Sequence, residues 1–535
     1  MDCRSEGSLA VDDYARRWAN KDIRNQCQCM SFWANITGRL LSAERRCDIG
    51  QLITFDMLPD DVLVEIFYFY ADEDMDMDTY FGPYEKPRIE EWTSLAHVCR
   101  RWRSIVFQSP RCLNLRLLCT SETPVRDTLD IWPPLPLVVH DWYGIRNPWC
   151  GRSGVDNFIA ALEHNDRVCE IRFDRLLRSE FEYVLYSDAM DKPFPELTCL
   201  RLIKPSTATY TTDPTLPDSF LGGFAPRLRS LHLHVPFLGV QKLLLSATRL
   251  VYLSLFFIPR SAGYVPPEAM ATSLSALTNL EFLRLEFRLC PHPALESRSP
   301  PPPPLTRSIL PSLTKIQFEG TTEYLEEISA RIDAPRVNKM DITFNPIIFD
   351  TPQLSEFISR RPTLRAPRKG HIAFNYEAIF VKFPSQTSNY DILSVQFPYM
   401  GLGPRPSLAS LEQICTSSFP PLSTLEDLYI SEELDQHCWL ELVENATWLD
   451  LLRSFVTVKN LYISQDLVPL VASDLQQLVG GRTTEVLPAL ENIFLEGFRP
   501  SRPMEKFVAA RGLTGHPVAV SRWDRNLNPI RLVNQ

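Results

Sequence analysis

Hydrophobic positions recur from residue 167 to residue 498 in the pattern L-x-x-L-x-L, in which other aliphatic or aromatic residues take some of the apolar places. The copies are Val168/Ile171/Phe173, Leu197/Leu200/Leu202, Leu228/Leu231/Leu233, Leu250/Leu253/Leu255, Leu280/Leu283/Leu285, Leu313/Ile316/Phe318, Val337/Met340/Ile342, Ile392/Val395/Phe397, Leu425/Leu428/Ile430, Val458/Leu461/Ile463 and Leu490/Ile493/Leu495. Most copies begin 22 to 33 residues apart, a period typical of leucine-rich repeats. The intervening segments have helical periodicity, so the sequence predicts an α/β fold of strand-plus-helix repeats stacked into a curved parallel solenoid.

Two features of this region depart from a regular repeat. The asparagine that usually follows the strand is absent, and Pro205, Pro236 and Ile258 stand near its place. The long interval from Met340 to Ile392 has room for a degenerate copy around "KGHIAF". An ordinary α/β domain also alternates strands and helices, but the recurrent spacing favours an irregular, leucine-rich-repeat-like solenoid.

The segment "LPDDVLVEIFYFY", residues 58–70, predicts a helix with two apolar stripes. Pro59 suits the first helical position, and Asp60 and Asp61 favour a helix N-terminus. One stripe is Leu58, Val62, Ile66 and Phe69, and the other is Leu63, Phe67 and Tyr70. A helix on the surface of a domain needs one apolar stripe, so we expect a further partner to cover the second.

More helical sequence follows in "EWTSLAHVCRRWRSIVFQSP", residues 91–110. Four residues lie at the spacing of one helix face: Leu95, Val98, Cys99 and Trp102. The segment "RSIVF" predicts a short third helix that ends before Pro110. Three helices in about fifty residues bury too little surface to be stable alone, so we expect Leu63, Ile66 and Phe67 to dock on another protein.

The combination of "LPDDVLVEIF" and "LAHVCRRWRSIV" resembles the F-box, the adaptor-binding motif of SCF-type ubiquitin ligases, over residues 53–114. An F-box followed by leucine-rich repeats recurs among substrate receptors of these ligases. The resemblance implies binding to a Skp-type adaptor and, through it, to a cullin scaffold. Carried over by position, the adaptor-binding residues are Leu58, Pro59, Leu63, Ile66, Phe67, Leu95, Val98, Cys99 and Trp102, of which the last four divide between adaptor contact and internal core. The acidic loop 71–88 is longer than is usual in the family.

These patterns predict five regions along the chain. Residues 1–52 are an N-terminal segment that is helical in part, and residues 53–114 are the F-box domain with its acidic loop insertion. A connecting region spans residues 115–166, the solenoid spans residues 167–498, and a C-terminal cap or tail spans residues 499–535.

Composition limits the classes of partner. The chain has 535 residues, of which 44% are hydrophobic and 22% charged, as in an ordinary globular protein. The formal net charge of −10 argues against nucleic acid or an anionic membrane as a partner. The 13 cysteines are scattered without a framework spacing, which is typical of reduced thiols. We therefore expect a cytoplasmic or nuclear protein that binds neither membrane nor nucleic acid.

The acidic loop has a partial resemblance to a calcium-binding loop. Asp74, Asp76, Asp78 and Glu85 occupy four of the ligand positions, but Thr79 stands where the sharp turn of that loop needs glycine. A solvated acidic loop is the better interpretation.

Two histidines suggest a metal site more weakly. His232 and His234 are two residues apart on a predicted strand and so share a face, and Cys199 lies on the preceding strand. Solvent-facing side chains explain these residues more simply. Because no phosphate-binding loop, nucleophile elbow or zinc-protease motif is present in the sequence, we expect no catalytic residues, no cofactor and no metal.

The repeat itself indicates a recognition surface. The residues between the last two apolar positions of each copy point away from the core. In chain order they are Arg172, Arg201, His232, Ser254, Arg284, Gln317, Asp341, Gln396, Tyr429, Tyr462 and Phe494. Arginine and tyrosine are enriched among interface hot spots, so the candidate substrate-binding residues are Arg284, Tyr429, Tyr462 and Phe494.

The hypothesis from the sequence is a non-catalytic substrate-recognition subunit of an SCF-type ubiquitin ligase, in which the F-box binds the adaptor and the solenoid binds a protein substrate. One alternative is an adaptor-binding scaffold or general protein-interaction solenoid without a role in ubiquitination. A second alternative is an enzyme with an unrecognised site in the concave surface.

Overall fold

The computed structural model describes residues 58–71, 92–109, 113–129, 134–141, 152–203, 216–235, 239–257, 264–287, 307–344, 351–361, 364, 367–375, 378–385, 391–398, 411, 422–432, 448–497 and 501–524. The chain divides into two compact units, unit 1 (residues 1–168) and unit 2 (residues 169–535). The predicted α/β class is confirmed, because helices alternate with strands and most of the strands are parallel.

Unit 1 begins with helices and continues with strands. Its described elements are α1 (Asp60–Ala71), α2 (Trp92–Val98), α3 (Arg100–Gln108), β1 (Leu117–Cys119), α4 (Val125–Thr128), β2 (Leu137–His140) and α5 (Arg152–Leu162). The strands β1 and β2 are parallel, with Leu117 opposite Leu137. The predicted connecting region therefore contains regular strands that the L-x-x-L-x-L search did not reveal.

The first three helices share a core. Leu63 and Phe67 on α1 have no exposed surface, and Trp102 on α3 is also buried. The rings of Phe67 and Trp102 lie 4.6 Å apart between centroids and are tilted by 55°, a favourable arrangement for two aromatic rings. Trp92 on α2 donates from Nε1 to the carbonyl oxygen of Arg116 at 2.9 Å, which ties these helices to the chain that follows.

The sequence prediction of one helix face running from Leu95 to Trp102 is wrong. The backbone at Cys99 is extended, with φ −155° and ψ 172°, so α2 ends at Val98 and α3 begins at Arg100. The Cys99 sulfur accepts a hydrogen bond from the backbone N–H of Trp102 at 3.4 Å. This side-chain cap satisfies one of the donors that a helix start leaves open, and it competes locally with helix continuation.

Unit 2 consists of strands connected mainly by helices. The strands are β3 (Val168–Phe173), β4 (Cys199–Ile203), β5 (Ser230–His234), β6 (Tyr252–Phe257), β7 (Phe282–Phe287), β8 (Ser308–Ile309), β9 (Lys315–Gly320), β10 (Ile332–Asp333), β11 (Lys339–Phe344), β12 (Lys369–Phe374), β13 (Ala378–Pro384), β14 (Asp391–Pro398), β15 (Asp427–Glu432), β16 (Asn460–Ile463), β17 (Asn492–Glu496) and β18 (Ala519–Trp523). The α-helices are α6 (Arg178–Leu185), α7 (Val240–Ser246), α8 (Pro267–Ser275), α9 (Thr322–Arg331), α10 (Pro352–Ser359), α11 (Trp448–Arg453), α12 (Val468–Gln476) and α13 (Arg502–Leu513).

The repeat copies lie in register in the sheet. The parallel order β3-β4-β5-β6-β7-β9-β11 places the second apolar position of one copy opposite that of the next, as in Leu231 with Leu253 and Leu253 with Leu283. These residues are fully buried or nearly so. Parallel neighbours joined through helices carry those helices on one side of the sheet, so the apolar positions face the helices and the alternate positions form the opposite face.

The order of strands changes between β11 and β15. The sheet continues as β11-β14-β13-β12-β15, and β13 is antiparallel to both of its neighbours. The predicted degenerate copy "KGHIAF" is strand β12, which lies beside β15. The chain thus crosses to β12 and returns through β13 to β14 beside β11, a reversal that the repeat pattern did not predict.

The copy assigned to Ile392, Val395 and Phe397 is out of register by two residues. Met340 lies opposite Leu393, and Ile342 lies opposite Val395. Leu393 is buried, whereas Ile392 is only partly so. Ile392 and Leu393 are adjacent apolar residues, so the sequence alone permitted either alternation, and pairing with β11 and β13 decides between them.

Helix starts in unit 2 use proline and carboxylates borrowed from neighbouring helices. Proline stands in the first turn of α8, α10, α12 and α13, where its missing N–H costs no helical bond. Glu326 of α9 accepts from the backbone N–H groups of Gln353 and Leu354 at the start of α10, at 2.5 and 3.0 Å. Asp474 of α12 caps Trp448 at the start of α11 in the same way, at 2.7 Å. Each cap links one helix to the next.

No helix within the described ranges combines the length and the apolar composition that crossing a bilayer requires.

We predict that Leu253→Ala lowers the free energy of unfolding by about 2–5 kcal/mol, because Leu253 is fully buried between two strands of the paired set. Leu245→Ala on α7 is the matched control, since Leu245 is 54% exposed and should change stability by about 0.5 kcal/mol or less. Chemical denaturation followed by circular dichroism measures both. Equal losses in the two variants would contradict the assigned core.

Candidate interaction surfaces

The face of the unit 2 sheet opposite the helices, here called the polar face, carries a continuous central row of side chains. Paired positions place in this row Arg172, Arg201, His232, Ser254, Arg284, Gln317, Asp341, Ser394, Lys382, His371, Tyr429, Tyr462, Phe494 and Ser521. Gln396 was predicted for this row and is not in it, because the register of β14 places Ser394 opposite Asp341. His371 and Lys382 enter the row from the unpredicted part of the sheet.

The basic half of the row is neutralised by acidic partners. Arg172 forms an ion pair with Glu170. Arg201 contacts Asp174 at 2.8 Å, and Arg284 contacts Glu286 at 2.8 Å. Two of these pairs join residues two apart on one strand, which lie on the same face. The charges therefore do not add up to the basic surface that the arginines alone suggested.

The histidines lie among stacked rings beside these ion pairs. The His232 ring stacks on Tyr252 at 4.2 Å, and Tyr252 stacks on Phe282 at 4.2 Å. Burial lowers the pKa of His232 to about 2, and the positive charge of Arg201 lowers it further. Burial likewise lowers the pKa of His234. Both imidazoles are therefore neutral at physiological pH.

The metal site considered for these residues finds no support in the described ranges, where no cluster of three or more His, Cys, Asp and Glu residues is arranged to hold an ion. Cys199 is buried, and its burial raises the pKa of the thiol to about 12. A thiol in this state is a poor metal ligand because the ligand is the thiolate.

The aromatic half of the row is a stack with a cover. Tyr429 stacks on Tyr462 at 4.2 Å, and Tyr462 stacks on Phe494 at 4.5 Å. The ring of Trp523 meets Tyr429 and Tyr462 edge-on at 5.9 and 5.7 Å. Tyr429 is only 5% exposed, and this burial raises the pKa of its hydroxyl. The prediction that Tyr429 is an open contact residue is therefore wrong, and Trp523 is a member of this surface that the sequence did not indicate.

The four candidate substrate-binding residues do not form one site. Arg284 lies on β7 and Tyr429 on β15, six strand-to-strand steps apart in the sheet order, which is about 29 Å at the usual strand spacing. Tyr462 and Phe494 lie beyond Tyr429 on β16 and β17. Arg284 and the aromatic stack are thus two separate places on the polar face.

One pair on this sheet has the atoms of a nucleophile and a base. His371 Nε2 and Ser431 Oγ are 2.6 Å apart. Hydrogen-bonded serine and histidine are the first two members of a hydrolytic triad. Both residues are buried, at 3% and 0% exposure, so no substrate reaches the hydroxyl in this structure. The pair has a packing role here.

In unit 1, the predicted adaptor-binding residues divide into buried and accessible sets. The buried set is Leu63, Phe67, Leu95 and Trp102, and the accessible or partly accessible set is Leu58, Pro59, Ile66, Val98 and Cys99. The prediction that Leu63 and Phe67 face outward is wrong, because their stripe packs on Trp102 in the core of the helices.

The other stripe of α1 is the accessible one. Val62 is 39% exposed, and Leu58 and Ile66 are partly exposed at spacings of four residues, so the three share one side of the helix. Val98 at the end of α2 is 51% exposed. Val62 was recognised as part of a stripe in the sequence but was not selected as a binding residue, since helical periodicity does not say which stripe faces the core.

A salt bridge brings the exposed ends of these helices together. Arg101 donates to Asp60 at 2.6 Å and to the carbonyl oxygen of Leu58 at 2.5 Å. The start of α3, which directly follows Val98, is thereby held at the start of α1. We call Leu58, Val62, Ile66 and Val98 the α1/α2 apolar surface.

The chain matches no family model and no curated protein. The acidic loop with its calcium-like pattern lies outside the described residues.

We predict that His232 makes the protein sensitive to acid. Because its folded-state pKa is about 2 and an unfolded histidine has a pKa near 6.5, only the unfolded state takes up this proton as the pH falls below about 6.5. Stability is therefore lost on acidification, by about 2 kcal/mol between pH 7 and pH 5 from this residue. The groups that face His232 are Arg201, His234, Arg172 and Arg284.

The change His232→Phe keeps a ring on Tyr252 and removes the proton site. Urea denaturation at pH 7 and pH 5 should show a smaller loss in the variant than in the wild type. Identical losses would mean that His232 is protonated in the folded protein.

Proposed function

We propose that the chain is a non-catalytic substrate-recognition subunit of an SCF-type ubiquitin ligase. In this proposal helices α1 to α3 bind a Skp-type adaptor, and the polar face of the unit 2 sheet binds a protein substrate. Support comes from the F-box-like sequence of the helices, from the α1/α2 apolar surface, and from a large sheet whose alternate side chains are polar and aromatic.

The accessible α1/α2 apolar surface is the observation that carries the proposal. The core of the three helices already contains Leu63, Phe67 and Trp102, so Val62 and Val98 are not needed to hold them together. Apolar side chains exposed singly are ordinary on protein surfaces, but here they lie on helices joined at one end by Arg101. A groove-lined partner would gain binding energy by covering them.

A protein partner suits the polar face better than a small molecule. The best-formed cavity of the described residues lies in the core around Leu283, Phe318 and Met340, with room for about one water molecule. The polar face instead presents paired charges and stacked rings over many strands. Extended surfaces of this kind are how stacked-repeat proteins bind other proteins.

The scaffold alternative differs in its outcome and not in its first step. Both require adaptor binding through α1 to α3, but only a substrate receptor promotes ubiquitin transfer to a protein that unit 2 binds. Reconstitution with adaptor, cullin scaffold and a ubiquitin-conjugating enzyme, using a protein that co-purifies with unit 2 as acceptor, distinguishes them.

We predict that Val62→Asp combined with Val98→Asp weakens adaptor binding at least about thirtyfold, the equivalent of about 2 kcal/mol. The reason is that each substitution buries an unpaired carboxylate against an apolar partner surface. The melting temperature should change little, because both positions are exposed. Titration of a Skp-type adaptor by calorimetry measures the loss.

Two controls accompany this variant. Leu245→Asp, at an exposed position of unit 2, should bind the adaptor as the wild type does. Leu63→Ala should lower the melting temperature, since it opens a cavity in the helical core. Undiminished adaptor binding by the double variant would refute docking through the α1/α2 apolar surface.

A further inference from the structure

The last strand of unit 2 is weakly held except at one residue. Strand β18 pairs with β17 alone among the described strands and ends the sheet. Its residues from Ala519 to Arg522 are exposed, and Trp523 is buried. Since the backbone ladder is open to water on its outer side, the burial of Trp523 is the main side-chain contact that keeps this strand in place.

Trp523 lies on the aromatic stack, where it fits imperfectly. Its ring meets Tyr429 and Tyr462 at interplanar angles of 60° and 71°, a favourable edge-to-face geometry. Its indole Nε1, however, is buried and makes no hydrogen bond among the described residues. A buried donor without an acceptor costs stability, so the stack accepts the ring of Trp523 better than its polar atom.

We propose that the aromatic stack of Tyr429, Tyr462 and Phe494 is the docking site for an extended segment of a protein partner with an aromatic side chain, and that β18 occupies this site as a built-in competitor. The partner segment pairs with β17 in place of β18 and places its ring where Trp523 now lies. Addition of a strand to an open sheet edge supplies main-chain hydrogen bonds, and a pocket for one side chain supplies selectivity.

The chemistry of the site defines the preferred ring. Phenylalanine offers the same apolar edge to Tyr429 and Tyr462 without burying an unpaired donor. The site should therefore bind a phenylalanine-bearing segment at least as tightly as the tryptophan-bearing strand of the chain itself.

This inference deepens the proposed function, on which it rests only for calling the partner a substrate. The exchange of one strand for another does not involve the adaptor. Its test is performed without adaptor, so failure of the exchange and failure of adaptor binding are separate results.

The test uses the full chain and a labelled peptide with the sequence of residues 516–525, "HPVAVSRWDR". Trp523→Ala releases the anchor of the chain's own strand while the backbone stays present. Fluorescence anisotropy should show the peptide binding this variant at least tenfold more tightly than the wild type, where the tethered strand competes at high effective concentration. A peptide with alanine in place of its tryptophan should bind at least about thirtyfold more weakly, and one with phenylalanine at least equally well.

Val520→Ala is the matched control, because Val520 lies on the same strand and is exposed; it should bind the peptide as weakly as the wild type. Absence of peptide binding to folded Trp523→Ala, or equal binding of the alanine peptide, would overturn the proposal.

A measurement on the wild type keeps the proposal testable if Trp523→Ala does not fold. Amide hydrogen exchange should be at least tenfold faster in β18 than in β16, because the end strand opens on its own. Exchange of β18 together with β16 at one common rate would show that β18 leaves only when the sheet unfolds, and would refute strand exchange.

Discussion

The structure of unit 2 depends on the direct pairing of buried apolar positions from one strand to the next. Leu231, Leu253 and Leu283 follow one another across the sheet with no offset. Because side chains alternate with a period of two, a slip of one residue would turn the whole apolar set of a strand toward water. Burial of this set therefore fixes the register, and the helices on that side complete the core.

The same register determines which side chains meet on the polar face. Paired positions on neighbouring strands are about 4.8 Å apart, which is close to the stacking distance of aromatic rings, and Tyr429, Tyr462 and Phe494 accordingly stack in order. Charges two residues apart on a strand share this face, so Arg284 pairs with Glu286. A row that looks basic in the sequence becomes locally neutral, because the sequence row omitted its acidic neighbours.

The sequence predicted strands where one local pattern was sufficient and failed where distant pairing decided. The copies up to Met340 have a single apolar alternation, and their strands and buried faces followed from it. The part from β12 to β14 needed knowledge of the partner strand, since adjacent Ile392 and Leu393 allow two registers. Strand β18 was missed because Trp523 is its only buried residue. The adaptor and substrate roles remain predictions.

The two stripes of α1 show the same limit on a helix. Leu63 with Phe67 and Val62 with Ile66 are equally regular, so periodicity could not say which stripe faces inward. The choice rests on Trp102, whose large ring packs on Phe67 and gains more contact there than Val62 could provide. The inner stripe thus holds the three helices together without a partner. A partner that covers Val62 and Ile66 need not open this core, so none of its binding energy is lost to unfolding the surface that it binds.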